Sequence, residues 1–340
     1  MKAVDLFAVQ PYMTVQDYRS ESAFFQKMAG LFEVADRQRD PALPAVIVWP
    51  EDLATFLLLT DVPPALLQAR TLDEAFERIG KAHGPALVAT LLRYRARSLK
   101  QAFFLWGSAR VWRIWFRTMS ELARRYRMTV VAGSALVAAN RWGLVASPYA
   151  PASRHVYNLS LTFDPDGRAM QLTPKVNLVP TQEDQLGLTA GRPEAVSAVR
   201  LPDTSAVLAT AICYDGFQVA HTDSEPDFYN VMAYLDQQGV QILAQPSANP
   251  WWWDQPWPLR PSVIRADQWQ NESAIAQLGE SRSIAVIINS HLIFDFLDLH
   301  FDGQSVIAAR HGSSVVKLAE APGFRGPEAE TVLHARWTGD

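Results

Sequence analysis

The sequence predicts an α/β fold in which helices pack on sheets, and three observations carry that prediction. Short apolar runs rich in β-branched residues, such as "AVIV", "VLAT" and "AVII", recur along the 340 residues. Stretches between several of them space their apolar residues every three to four positions, as an amphipathic helix does. A composition that is 49% hydrophobic and only 19% charged supplies a substantial core for such layers.

Taken in order, "VDLFAVQ" reads as a first strand, and the Phe, Met and Leu spacing of "YRSESAFFQKMAGLFEVADRQ" predicts a helix ending at a Pro-rich turn. "AVIVWPED" follows as a buried strand, with Glu51 just past its C-terminal end. From about Ala54 to Arg127 the pattern is mostly helical, with breaks expected at Pro63-Pro64 and at Gly107, until "MTVVAGSALV" restarts the strand pattern. "HVYNLSLTFDPDGRAMQLTPKVNLVP" has the form of a hairpin turning at Pro-Asp-Gly, and Lys175 follows its second arm. "SAVLATAICYDG", "VQILAQPSANP", "SIAVIINSHL" and "SVIAARHGSSVVKL" continue the strand series. No repeat, low-complexity tract or linker divides the chain, so one domain spanning 1–340 is expected.

Composition excludes several chemistries. The single cysteine can form neither an internal disulfide nor a Cys-x-x-Cys metal clip, which favours a cytoplasmic setting. "MKAVDLFAVQPYM" lacks the apolar stretch of a signal peptide, and no run approaches the roughly 18 apolar residues that span a bilayer. A formal net charge of −4 gives no reason to expect nucleic acid as a partner. Glycine-rich nucleotide loops, the Gly-x-Ser-x-Gly elbow and helical His pairs are all missing from the sequence, so no metal or cofactor is expected. One local excess stands out: ten Lys or Arg face one acid, Glu121, between Arg93 and Arg127, in a stretch also rich in Trp and Phe.

Glu51, Lys175 and Cys213 share a position, each at or near the end of an expected strand, where sheet proteins assemble active sites. Singly, each has an ordinary reading. Cys213 suits a small buried hydrophobe, Glu51 a cap for a helix beginning "EDLATF", and Lys175 a solvated strand-end charge. Together, in this order, they resemble the Glu-Lys-Cys triad of the nitrilase, or carbon-nitrogen hydrolase, superfamily. "VIVWPED" resembles its Pro-Glu strand end. "LTPKVNLVPTQED" resembles its lysine motif, with Pro180 five residues and Glu183 eight residues after Lys175. "AICYDGF" resembles its nucleophile segment. Weaker likenesses, among them "VVAGSAL", "QILAQPSANPW" and "FDGQSVIAARHGSSVVKL", extend over most of the chain.

The resemblance implies a four-layer α-β-β-α sandwich, commonly paired into a homodimer or larger assembly, and a cofactor-independent hydrolase of non-peptide C–N bonds. Cys213 is then the nucleophile, Glu51 the general base and acid, and Lys175 the donor to the developing oxyanion. The backbone N–H of Tyr214 completes that hole, and Glu183 supports the catalytic groups. Asp215-Gly216 is expected to permit the sharp turn that leaves the sulfur accessible. Tyr214-Asp215 is closer to the amidase branches than to the Cys-Trp-Glu of true nitrilases, whereas Gly216-Phe217-Gln218-Val219 departs from the Arg-Phe-Pro-Glu type that many amidases carry. A small amide or carbamoyl substrate is therefore expected, with nitrile hydrolysis and acyl transfer as alternatives.

"NPWWWDQPW" offers Asn249, Trp251 and Trp252 as pocket residues, beside Trp253 and Trp257, although aromatic packing explains such a cluster equally well. The segment between Glu51 and "VVAGS" is longer than the family requires, which places a helical insertion near residues 65–110. One reading makes that insertion a lid or pocket wall that selects a larger substrate; another makes its Arg/Trp-rich helix, in the basic 93–127 stretch, a dock for an anionic membrane surface or acidic partner; a third makes it an amphipathic helix that covers the core with its arginines in solvent. An idle interaction module using that surface is the non-enzymatic alternative.

Overall fold

The computed structural model describes residues 2–180, 182–223, 225 and 227–339. Two six-stranded sheets stack face to face. The first holds β1 (Val4–Gln10), β2 (Ala45–Val48), β3 (Thr129–Val137), β4 (Tyr157–Phe163), β5 (Ala169–Pro174) and β12 (Thr331–Trp337), in the order β12-β1-β2-β3-β4-β5. The second holds β6 (Ala198–Arg200), β7 (Val207–Thr210), β8 (Ile242–Ser247), β9 (Val286–His291), β10 (Val306–His311) and β11 (Ser314–Glu320), in the order β11-β10-β9-β8-β7-β6.

Alternation along the strands builds the layers. In β1, Val4, Leu6 and Ala8 face the second sheet, where they meet Ile242 and Ala244 of β8 and Val286 and Ile288 of β9. Phe7 and Val9 point the other way, into a cluster with Phe24, Met28 and Phe32 of α1 (Glu21–Gln38) and Trp112, Trp115 and Met119 of α4 (Leu99–Tyr126). On the outer face of the second sheet, Leu243 and Ile287 pack on α5 (Val231–Gln237) and α7 (Ala274–Leu278), with α6 (Arg265–Glu272) immediately before. A two-residue period thus places the central strands between two apolar layers, while the edge strand β11 is largely exposed, and the result is α-β-β-α.

Local signals set the helix boundaries. Ser20 caps α1 by accepting from the Ala23 N–H at 3.0 Å, and Ser98 caps α4 by accepting from the Gln101 N–H at 3.1 Å. Between β2 and α4 lie α2 (Leu72–Ala82) and α3 (Gly84–Tyr94). The break expected at Gly107 does not occur, because α4 runs through it. A Cβ there would sit 1.9 Å from Leu58 Cδ2, so this glycine serves close helix packing. The basic segment is amphipathic: Phe116, Leu122 and Ala123 are buried while Arg113, Arg117, Arg124 and Arg125 are exposed. "SVIAARHGSSVVKL" forms two antiparallel strands, β10 and β11, rather than one, with Gly312 at positive φ between them. Among the described residues no helix is long and apolar enough to cross a membrane.

Candidate active site

Three parallel strands occupy the middle of each sheet, β1-β2-β3 in one and β7-β8-β9 in the other. Glu51 follows the C-terminal end of β2, Cys213 that of β7 and Ala248 that of β8. Two successive antiparallel pairings, β3 with β4 and β4 with β5, return β5 to the direction of β3, so Lys175 leaves the first sheet at the same end. Strand direction therefore gathers residues far apart in sequence at one crevice.

Two local devices aim the side chains. In β3 the register slips between Val131 and Ser134, where Gly133 adopts φ +65°, and a Cβ on Gly133 would lie 2.2 Å from the Pro50 carbonyl oxygen. This bulge lets the Pro50-Glu51 backbone pass against β3, and the Ser134 hydroxyl accepts from the Asp52 N–H at 2.9 Å. After β7, Cys213 itself takes the left-handed conformation, φ +49°, in a short 3₁₀ turn, Cys213–Gly216. The unusual dihedral expected at Asp215-Gly216 thus falls two residues earlier, at a residue with a Cβ, which costs of order 1 kcal/mol or more. Gly216 is required for space: a Cβ would stand 2.1 Å from Gln245 Nε2, which donates to the Cys213 carbonyl at 2.9 Å.

The structure brings Glu51, Lys175, Glu183 and Cys213 together in the interior. Glu51, Lys175 and Cys213 are 3%, 1% and 3% exposed. Lys175 Nζ donates to Glu51 Oε1 at 2.7 Å and to Glu183 Oε2 at 2.6 Å. Asn158 Nδ2, on β4, donates to the same two carboxylates at 2.8 and 3.0 Å. The Ala248 N–H donates to Glu51 Oε2 at 3.0 Å, joining the two sheets, and the Val179 N–H donates to Glu183 at 2.9 Å. Cys213 Sγ lies 3.6 Å from the Ala248 carbonyl, with the Glu51 carboxylate close enough to act on its ionisation. Asp215 fastens the nucleophile turn to the lysine loop, accepting from the N–H groups of Val176 at 3.0 Å and Asn177 at 2.7 Å.

Burial governs the ionisation here. It raises the Glu51 carboxyl, an effect that Lys175 partly offsets and Glu183 reinforces. Burial, with Glu51 beside it, holds the Cys213 thiol well above the ordinary thiol range. Burial alone would depress Lys175, but Glu183 and Glu51 outweigh it and keep the ammonium well above its usual value. Asp215 is pushed by burial up to about 7 despite its backbone donors. Burial and charge thus favour a thiol at Cys213 beside the Glu51 carboxyl, and an ammonium at Lys175 between two acidic side chains.

A cavity of about 490 Å³ opens from this network, with Glu51, Lys175, Glu183 and Ala248 in its wall. Asn249, Trp251 and Trp252 are not part of that wall. Asn249 and Trp251 instead hold the buried Arg265, whose Nε donates to Asn249 Oδ1 at 2.7 Å and whose guanidinium lies 4.9 Å from the Trp251 ring. Trp252 is partly exposed, stacked on His300 and beneath Arg325. Trp253 packs in the apolar cluster around Cys213. Among the described residues no group of three or more His, Cys, Asp or Glu is placed to hold a metal ion. Sequence reading missed Asn158, whose signal was a polar residue within the apolar run "YNLSLTF", and Asp215 as a tie between loops.

The carbon-nitrogen hydrolase family profile matches residues 16–323. No curated protein matches the chain. Among solved structures, Nit3 of Saccharomyces cerevisiae, a member of branch 10 of the nitrilase superfamily, is 15% identical with a TM-score of 0.59, over 98% of this chain and 90% of that one. A carbon-nitrogen hydrolase from Helicobacter pylori is 14% identical with a TM-score of 0.58, over 98% and 89%. An amidase from Nesterenkonia sp., captured with acrylamide added to its active-site cysteine, is 13% identical with a TM-score of 0.55, over 100% and 94%. At these identities the likeness is one of fold.

Proposed function

The chain belongs to the carbon-nitrogen hydrolase family, and from that premise we propose that it hydrolyses the C–N bond of a linear amide or carbamoyl compound with Cys213 as nucleophile. The sulfur rests protonated, so attack is coupled to proton transfer: the Sγ–C bond forms as the thiol proton passes to Glu51. The carbonyl electron pair moves to oxygen, where Lys175 Nζ and the backbone N–H of Tyr214 stabilise it. Collapse breaks the C–N bond, Glu51 returns the proton to the departing nitrogen, and an acyl thioester remains. Glu51 then deprotonates a water that adds to the thioester, and release of the acid restores the thiol.

Glu183 and Asn158 act through their neighbours. Together they fix the Lys175 ammonium and the Glu51 carboxylate at the distances given above, which preorganises the donor before charge develops. The observation that carries the reading is this buried network set against a cysteine held at positive φ. Tyr214-Asp215 favours amides over nitriles.

Matched amide and nitrile panels test it. The expected result is ammonia or amine plus acid from amides, with an acyl adduct on the Cys213 peptide in rapidly quenched samples and no turnover by Cys213→Ala. Efficient nitrile turnover without amide turnover would replace this reading with a nitrilase. Hydroxamate formation in hydroxylamine, in preference to acid, would make the protein a transferase. Normal rates from Cys213→Ala would end the cysteine mechanism.

A further inference from the structure

The cavity that begins at Glu51, Lys175 and Glu183 changes character within a few residues. Beyond the network its wall is apolar, built from Phe56 and Leu59 after β2, Leu72 and Ile79 of α2, and Phe296 and Phe301 from the far end of the chain. Phe76, Phe103 and Phe104 then form a cluster of rings, Phe76 against Phe103 edge-on at 4.8 Å and Phe103 against Phe104 at 6.1 Å. These three residues, with Leu186, also line a second cavity of about 430 Å³, which continues toward Leu87, Val88 and Leu99. The chambers share a wall, and their apolar lining runs on to the surface, where Val88 and Leu99 are 51% and 61% exposed.

Outside the network the charged residues lining the chambers already have partners: Asp52 accepts from the Thr55 hydroxyl at 2.7 Å, and the exposed Asp298 accepts from the Leu72 N–H at 2.7 Å. Lys100 faces Asp73 at 3.3 Å and Lys81 faces Glu77 at 2.5 Å, all four in solvent. A ligand reaching past the network therefore meets carbon, with no buried cation or anion awaiting a partner in the second chamber. Each chamber falls within the roughly 300–1,000 Å³ that enclose a drug-sized ligand. A small polar amide would leave most of this volume empty.

We propose that the acyl group of the substrate is a long unbranched hydrocarbon chain, which runs from Cys213 through the first chamber and past the Phe76, Phe103 and Phe104 rings into the second. The inference rests on the hydrolase reading above and adds the substrate class. Two chambers joined at a cluster of rings suit a flexible chain, which can thread between aromatic edges, better than a rigid bulky group. It also gives the helical insertion a task, since α2, α3 and the first turns of α4 supply most of the second chamber's wall and part of the first's.

The test is a series of straight-chain primary amides from acetamide to decanamide, assayed on the full chain. Each methylene should raise kcat/KM by up to about fourfold, the fold-change equivalent of ~0.8 kcal/mol per buried CH₂. Leu72→Trp, at a half-buried position, and Ile79→Trp, deeper in the wall, should flatten this dependence, reducing the decanamide-to-acetamide ratio at least tenfold. Acetamide and butyramide hydrolysed as fast as decanamide would overturn the long-chain inference and leave the hydrolase intact. No Cys213-dependent turnover of any amide would overturn the hydrolase reading instead. Calorimetry of Cys213→Ala with decanamide judges the chambers independently: binding that Leu72→Trp abolishes supports them, and no binding refutes them.

Discussion

Replacing Glu183 with glutamine separates the electrostatic work of the network from its geometry. Glu183 accepts from Lys175, Val179 N–H and Asn158 at 2.6, 2.9 and 3.0 Å. Glutamine has one oxygen for these three donors. If that oxygen keeps Lys175 and Val179, its amide group meets the Asn158 amide donor to donor. Through their shared ammonium the facing oxygens of Glu51 and Glu183 lie no more than about 5.3 Å apart, where two unit charges repel by roughly 3 kcal/mol at an effective dielectric constant of about 20. The substitution removes that repulsion and also weakens hydrogen bonds to charged groups worth about 1.5–3 kcal/mol each. The two effects oppose, so stability should change by no more than about 2 kcal/mol. Activity should fall far more, about 10²-fold in kcat/KM, through misplacement of the oxyanion donor. Glu183 raises the proton affinity of both Glu51 and Lys175, so its neutralisation lowers both. Both limbs of the pH–rate profile should therefore move to lower pH, a shift that simple loosening of the site would not produce. A variant with reduced rates but an unmoved profile would refute the electrostatic role; full activity would refute the network as catalytic machinery.

Further outcomes follow from the nucleophile turn. Cys213→Gly and Cys213→Ala should both be inactive, but the glycine variant should be more stable by about 1 kcal/mol in urea melts, because only glycine takes φ +49° without strain. Gly216→Ala should destabilise by about 1–3 kcal/mol and lower kcat, since the new methyl drives Gln245 away from the Cys213 carbonyl. Burial raises Asp215 from its ordinary value near 3.8 to about 7, so the folded state holds a proton that the unfolded chain gives up. Its contribution is greatest below about pH 4 and is lost as pH rises through about 7; denaturant midpoints across that window should show a decline that Asp215→Asn flattens.

Glu51, Lys175 and Cys213 were legible as site candidates because each lies at or near the end of an apolar run, and strand direction then gathers those ends. Their grouping as a set, and the place of Glu183 beside them, come from the resemblance to the carbon-nitrogen hydrolase motifs rather than from strand ends alone. Asn158 was hidden by its setting, since a strand residue declares which face it occupies but not which remote carboxylates wait there. Gly107 misled because a glycine in a helical pattern signals either a break or a close approach, and only the position of Leu58 decides. The same ambiguity runs the other way at Gly216, which resembles a turn residue yet supplies room, while the unusual dihedral falls on Cys213. The tryptophan cluster after β8 was legible as aromatic, but its attachment to Arg265 depends on a helix fifteen residues on. A pocket wall in the insertion was one reading among three, but the chambers themselves were hidden, because their walls join α2 and α4 to the Phe296–Phe301 stretch, which only folding makes neighbours.

The protonated, enclosed state of Cys213 bears on survival as well as turnover. Peroxide attacks thiolates that solvent can reach, and this sulfur offers neither the charge nor the access until a carbonyl arrives to take its electrons. The protein should hence endure oxidants that silence enzymes with permanently ionised cysteines, keeping its single thiol in reserve between encounters.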